Sequence, residues 1–345
     1  MNRDFSFSSI GIGSVSFTNP DEAVRYVLKN VDVPFWPQLP RRSLKEGMVV
    51  QFSEQMPCLK IRDKSLEFSE ENSDVELERF YEYFLRQDYN AFTISADYAA
   101  GIYEFIKQIR GSLKRKEFVK GQITGPFTFA SSINKDSGQS LLSDSVMMEV
   151  IVKALGMKAL WQIKELKQVA DSVVIFIDEP YLSCFGSAYT PINKETVINV
   201  FGELIDLIRK EENCLVGIHC CGNTDWGLLM DLDIDIINFD AYGYMDNFLL
   251  YSESIKNFIS AGKYIAWGLV PTNEFNKSIN EEDLFSKLDS AINLLTDKDV
   301  DKDKLIKQSF LSPACGLGSL DPVINEKIFL MLEKTKKIIQ KKLKI

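Results

Sequence analysis

The chain has 345 residues, 45% of them hydrophobic, and sets 49 acidic against 40 basic side chains for a net charge of −9. That balance, with no basic stripe interleaved with aromatics, excludes a nucleic-acid surface, and no apolar run is long enough to span a bilayer. The length allows one large α/β domain or two smaller ones, each with a sizeable core.

The N-terminal stretch, Met1-Asn-Arg-Asp-Phe-Ser6, lacks the apolar centre of a signal peptide, so a cytoplasmic location is expected. In that compartment six cysteines are expected as thiols or metal ligands rather than disulfides. The charge-rich stretches 69–78 and 297–304 read as solvated loops or helix starts.

Along the chain, short apolar runs alternate with helical patterns. The predicted strands are 10–15, 91–95, 118–123, 173–178, 214–219, 235–240, 264–268 and 306–311. Several, such as Val173-Val-Ile-Phe-Ile177, are apolar without alternation, as parallel strands covered on both faces should be. Between them lie helices. Val197, Phe201, Leu204 and Ile208 share one helical face, and 145–170 is a longer helical pattern interrupted by Gly156. Asp321-Pro322 opens the last helix with a capping residue and a proline in its first turn, and the basic tail 334–344 is the solvated face of that helix. Eight alternations predict an α/β fold, a single (β/α)8 TIM barrel over 1–345, with an N-terminal extension at 31–85 between its first two strands. The extension holds the proline-rich Val33-Pro-Phe-Trp-Pro-Gln-Leu-Pro40 and a further strand or two near 48–61, and could cover the barrel mouth.

The informative stretch is Cys214-Leu-Val-Gly-Ile-His-Cys-Cys-Gly-Asn223. Side chains alternate along a strand, so His219 and Cys221 project together while Cys220 points the other way. An imidazole and a thiolate side by side are half of a zinc site, and His219 is the one histidine of the chain. In a barrel, chemistry gathers at the C-terminal strand ends. Those ends carry Gly13-Ser14, Asp178-Glu-Pro180, His219 and Cys221, Asp240, and the run Leu311-Ser-Pro-Ala-Cys-Gly-Leu317. His219, Cys221, Cys315 and Asp240 can therefore surround a tetrahedral zinc, which such soft donors favour over magnesium or calcium. Two plain alternatives stay open: Cys315 as a buried apolar thiol, and Asp240 as a helix cap or half of an ion pair. Gly222 and Gly316 would let the backbone turn closely around an ion, and Cys58, Cys184, Cys214 and Cys220 are expected to be packing residues.

His219-x-Cys221, Asp178-Glu-Pro180, Lys120-Gly-Gln-Ile-Thr-Gly-Pro126 and Pro313-Ala-Cys-Gly-Leu317 resemble, over nearly the whole chain, the catalytic barrel of cobalamin-independent methionine synthase. That family lies in a superfamily with uroporphyrinogen decarboxylase and the corrinoid-dependent coenzyme M methyltransferases, and His219-Cys-Cys-Gly-Asn-Thr224 resembles the corrinoid branch most. The decarboxylase branch is disfavoured, because its arginine-rich N-terminal substrate motif is missing. The resemblance implies zinc on His219, Cys221 and Cys315, with Asp240 where the synthases have a glutamate ligand. It implies Asp178 for the amino group of an amino-acid thiol and Ile12-Gly-Ser14 for its carboxylate. Three departures matter. The long folate-dependent synthases carry a second barrel, for which this chain has no room. Their second acid for the substrate amino group is missing from Arg41-Arg-Ser-Leu-Lys45, with Glu46 and Glu54 as substitutes. Their proton-donating histidine has no counterpart in Gly268-Leu-Val-Pro-Thr272.

A methyl group on a folate nitrogen needs a general acid to leave, whereas a methyl on cobalt does not. The expectation is thus a zinc-dependent thiol methyltransferase that makes methionine from homocysteine, with methylcobalamin or a methylated corrinoid protein as donor and partner. The alternatives are methylation of another thiol such as coenzyme M, a folate-using methionine synthase, and a barrel whose metal is only a structural staple.

Overall fold

The computed structural model describes residues 3–345 apart from 64, 188, 189, 191, 274 and 277, so the first two residues of the N-terminal stretch lie outside it. Its strands are β1 (Ser8–Ser9), β2 (Leu59–Arg62), β3 (Ser65–Phe68), β4 (Lys116–Thr124), β5 (Ala170–Asp178), β6 (Cys214–Cys220), β7 (Ile236–Phe239), β8 (Tyr264–Val270) and β9 (Ser309–Pro313). β2 and β3 form a separate antiparallel hairpin. The other seven make one curled sheet in the order β1-β9-β8-β7-β6-β5-β4, every pair parallel.

This is a TIM-like α/β fold, but its described sheet has seven strands instead of the eight predicted. The predicted second strand, 91–95, is a short 3-10 turn at Tyr89–Phe92 followed by loop. Its place is taken by the proline-rich segment read as part of the extension. Isolated parallel bridges join Val33 to Ile10, Gln38 to Ser14 and Phe35 to Lys120, so 33–38 spans the gap between β1 and β4. Val33 N–H donates to Ser9 O and Gln38 N–H to Gly13 O on one side, at 3.0 Å each, while Trp36 N–H donates to Lys120 O on the other at 3.2 Å. Pro34 and Pro37 have no N–H to give, which thins this ladder below a regular strand. A side-chain graft compensates: Gln162 Oε1 accepts from Trp36 Nε1 at 2.9 Å, and its Nε2 donates to Gln122 O at 3.0 Å. The insertion therefore runs after this segment and contains the β2–β3 hairpin; of the 48–61 stretch, where a strand or two was expected, only the end from Leu59 is strand, and Val50–Phe52 is a 3-10 turn.

The remaining strands were placed to within a few residues, except the first, expected at 10–15 where β1 is Ser8–Ser9, and the last, whose expected start Ile306 lies in the helix Lys302–Lys307 before β9 begins. The helix with Val197, Phe201, Leu204 and Ile208 on its buried face is Lys194–Ile208. The long helix Ser145–Leu166 runs through Gly156, where a Cβ would lie 2.7 Å from Leu207 Cδ1; the glycine lets these two helices pack closely. Asp321 caps the last helix, Pro322–Leu343, accepting from Val323 N–H at 2.8 Å. Among the described residues no helix is long and apolar enough to cross a membrane.

Alternation sorts the strand residues into two cores. Val173, Ile175 and Ile177 of β5 and Val216, Ile218 and Cys220 of β6 face the helices. Val174, Phe176, Leu215, Ile236, Ala266 and Phe310 point inward and form a second cluster inside the curl. Asp178 and His219 continue the inward rows, which sets the direction of the chemistry.

Candidate functional site

β5 and β6 pair in a register that sets Asp178 beside His219. His219 is buried, with 2% exposure, and its Nε2 meets no hydrogen-bond partner, a costly state for a buried polar atom. Cys221, two residues on, shares its direction, and the loop after β9 brings in Cys315 from the far side. One ligand atom from each of His219, Cys221 and Cys315 lies within 4.8 Å of the others. A hydrogen bond between the two thiols holds Cys221 well below the usual thiol range and pushes Cys315 above it. Cys220 points into the helix-facing core, and burial pushes its thiol up to about 12. The predicted strand register is met.

The other expected site residues divide. Asp178 is buried, its Oδ1 has no partner, and burial pushes its carboxyl up to about 6 against the pull of Lys120 and His219. Ser14 Oγ accepts from Gly318 N–H at 3.1 Å, which leaves its own O–H free to donate. Asp240 is not among the three converging donors. It caps the helix Ala241–Leu249, its Oδ1 accepting from Gly243 N–H at 2.8 Å, although Cys221 and His219 are near enough to act on its charge. Of the two substitute acids, Glu46 is fully buried and lines the same pocket, held by Arg42 at 2.5 Å. Glu54 instead accepts from Ser95 N–H at 2.7 Å and does not line it. Gly222 is needed for close approach to Ser183 Cβ, 2.5 Å from a built Cβ, and Gly316 because a side chain there would collide with Ser14 Oγ. Both let loops meet closely.

Together Ser14, Asp178, Glu46, His219, Cys221 and Cys315 line one pocket of about 310 Å³, with Gln38, Pro40 and Met48 from the segment after 33 closing its side. That is near the lower end of ligand sites, which run roughly 300–1,000 Å³. It suits a compact ligand.

Two residues of the site were not singled out from the sequence. Asn238 hydrogen-bonds His219 Nδ1 through Oδ1 at 2.5 Å. Lys120, fully buried in the barrel interior, donates to Ile12 O and, at 3.1 Å, to Gln122 Oε1; burial pushes its ammonium down to about 7. Asn238 is a polar residue in an otherwise apolar strand, and that was the available signal; Lys120 shares its row with Gln122 and Thr124 and gave no such contrast. Glu179, between Asp178 and Pro180, is structural. Its carboxylate accepts from Phe127 N–H at 2.9 Å and Thr128 N–H at 2.7 Å, fixing the Gly125-Pro126 turn.

No family model matches the chain. A methionine synthase of Methanocaldococcus jannaschii is 28% identical over 239 residues, 68% of this chain and 70% of that protein. A protein of Listeria monocytogenes assigned as a vitamin-B12-independent methionine synthase superposes with a TM-score of 0.54 over 97% of both chains, at 14% identity, which speaks to the fold. The sequence similarity supports a methyltransferase, carried on a TIM-like α/β fold. Within that class the sequence similarity is to a methionine synthase, the family its motifs resemble.

Proposed function

We propose that the protein methylates the sulfur of homocysteine, giving methionine, at a zinc site made by His219, Cys221 and Cys315. The observation that carries this reading is the convergence of an imidazole and two thiols on the wall of a small pocket that also holds an unpartnered carboxylate. The donors fit the metal: two soft thiols and a buried imidazole nitrogen without a partner are what tetrahedral zinc takes. Asp240, with one oxygen engaged by its helix, would serve as a weak fourth donor. Zinc held by two thiolates generates hydroxide poorly, but it lowers the pKa of an incoming thiol and keeps it nucleophilic at neutral pH.

The chain's own side chains then select the thiol. Asp178 offers a carboxylate to an ammonium group, with Glu46 on the same wall as a second acid. Ser14 offers its O–H to a carboxylate, and the loop that holds it is tied to the Cys315 loop through Leu317 N–H to Ser14 O at 3.0 Å. An amino-acid thiol uses both subsites, while coenzyme M would use only an anion site. This pairing favours homocysteine.

For the donor we propose a methylated corrinoid, arriving over the mouth. A corrinoid leaves without a proton, and His219, the sole histidine, is committed to the metal. The Listeria protein, assigned as vitamin-B12 independent, weighs on the other side, and buried Asp178 and Glu46, both raised by burial, are acids within the pocket. The deciding experiment gives the zinc-loaded protein homocysteine or coenzyme M with methylcobalamin, and homocysteine with methyltetrahydrofolate in a corrinoid-free mixture. Methionine from methylcobalamin, abolished in Cys315→Ser, is expected. Methionine from methyltetrahydrofolate alone would replace the donor, and methylated coenzyme M without methionine would replace the acceptor.

A further inference from the structure

An imidazole presents one lone pair, and the hydrogen bond on its other nitrogen decides which nitrogen carries it. Asn238 sits in β7, paired in register with His219 of β6, and is fully buried. Its Nδ2 lies 2.8 Å from Ala266 O in β8 and 2.8 Å from Ser312 Oγ in β9. A carbonyl oxygen can only accept, so turning the amide over would set two acceptors against each other. Oδ1 is thereby directed at His219 Nδ1. Nδ1 must carry the proton to make that bond, which leaves the lone pair on Nε2, the atom without a partner.

The same amide links four neighbouring strands. It joins the His219 strand end to Ser312, three residues before Cys315, and so ties together two elements that carry proposed ligands. We propose that Asn238 is a positioning residue that locks His219 in the Nδ1–H tautomer, with Nε2 presented to Cys221 and Cys315, and thereby sets the zinc affinity of the site. The affinity part rests on the zinc reading above; the tautomer part does not.

Because His219 is the single histidine, protein labelled with ¹⁵N-histidine gives one imidazole, and its two nitrogen shifts report the tautomer directly. In metal-stripped wild-type protein at pH 8, a protonated Nδ1 and a bare Nε2 are expected. Asn238→Ala should give a mixture of tautomers and weaken zinc, measured by chelator competition, by roughly ten- to a hundredfold, as loss of such supporting bonds does. Asn238→Asp keeps the acceptor and loses both donated bonds, so it should restore the tautomer and part of the affinity. A residue that only held the fold would lower the melting temperature without moving the tautomer. Should Asn238→Ala not fold, Ser312→Ala removes one of the two anchors and should weaken zinc severalfold. A protonated Nε2 in the wild type, or zinc affinity within twofold in both Asn238→Ala and Ser312→Ala, would overturn the proposal. Wild-type protein that binds no zinc would overturn the zinc reading and the affinity role with it, and the tautomer alone would then decide whether Asn238 positions His219.

Discussion

The two ends of the curled sheet are built from the same strands and behave oppositely. At the N-terminal end Phe5 packs against Phe118, Tyr264 and Phe310 with ring centroids 5.1, 5.2 and 4.2 Å apart, all four rings buried. Arg3 N–H donates to the hydroxyl of Tyr264 at 3.0 Å, so even the polar atom there is served. At the C-terminal end, Asp178 Oδ1 and His219 Nε2 are buried and meet nothing. One end satisfies its groups and stabilises the fold; the other buries polar atoms that the fold leaves without a hydrogen-bond partner.

That contrast can be broken by substitutions at either end. The largest effect belongs to the thiols. Wild-type protein should carry about one zinc per chain, the content of a single site, and Cys221→Ser or Cys315→Ser should remove most of it by elemental analysis. Cys220→Ser should keep the metal, since its side chain lies in the opposite core; equal loss there would mean that the zinc is held elsewhere.

Next comes the aromatic end. Phe310→Ala should cost about 3–5 kcal/mol in urea unfolding, the usual range for emptying a buried phenylalanine site, while the protein that remains folded keeps its zinc. Metal loss in parallel with stability would show that the two ends are not separable.

A smaller effect is expected at Asp178. Asp178→Asn should retain zinc and weaken homocysteine, by titration calorimetry, by about 1.5–3 kcal/mol, the worth of a hydrogen bond to a charged group. Unchanged homocysteine affinity would point to a thiol without an amino group. The smallest effect is reserved for Asp240. Asp240→Asn preserves a good helix cap, so the melting temperature should hardly move, and zinc affinity should fall far less than in the cysteine variants. A loss as large as that of Cys315→Ser would make Asp240 a full ligand.

Much of this arrangement follows from the sequence because strand side chains alternate with a fixed period. The inward rows ending in Asp178 and His219, the opposite directions of Cys220 and Cys221, and the cap at Asp321 are local consequences of that period and of capping chemistry. What only the tertiary structure decided lies in pairings between distant segments. The stretch 33–38 looked like a loop because its prolines cannot donate, yet it bridges β1 and β4 through backbone bonds to Ser9, Gly13 and Lys120, with Gln162, more than a hundred residues on, accepting from Trp36. Glu46 and Glu54 were equal candidates until packing carried one into the pocket and gave the other to Ser95. Asn238 was a polar residue in an apolar strand until β8 and β9 fixed which end of its amide faces His219. Sequence spacing sets which way a side chain points along its own strand; which atoms it meets depends on folding across the sheet.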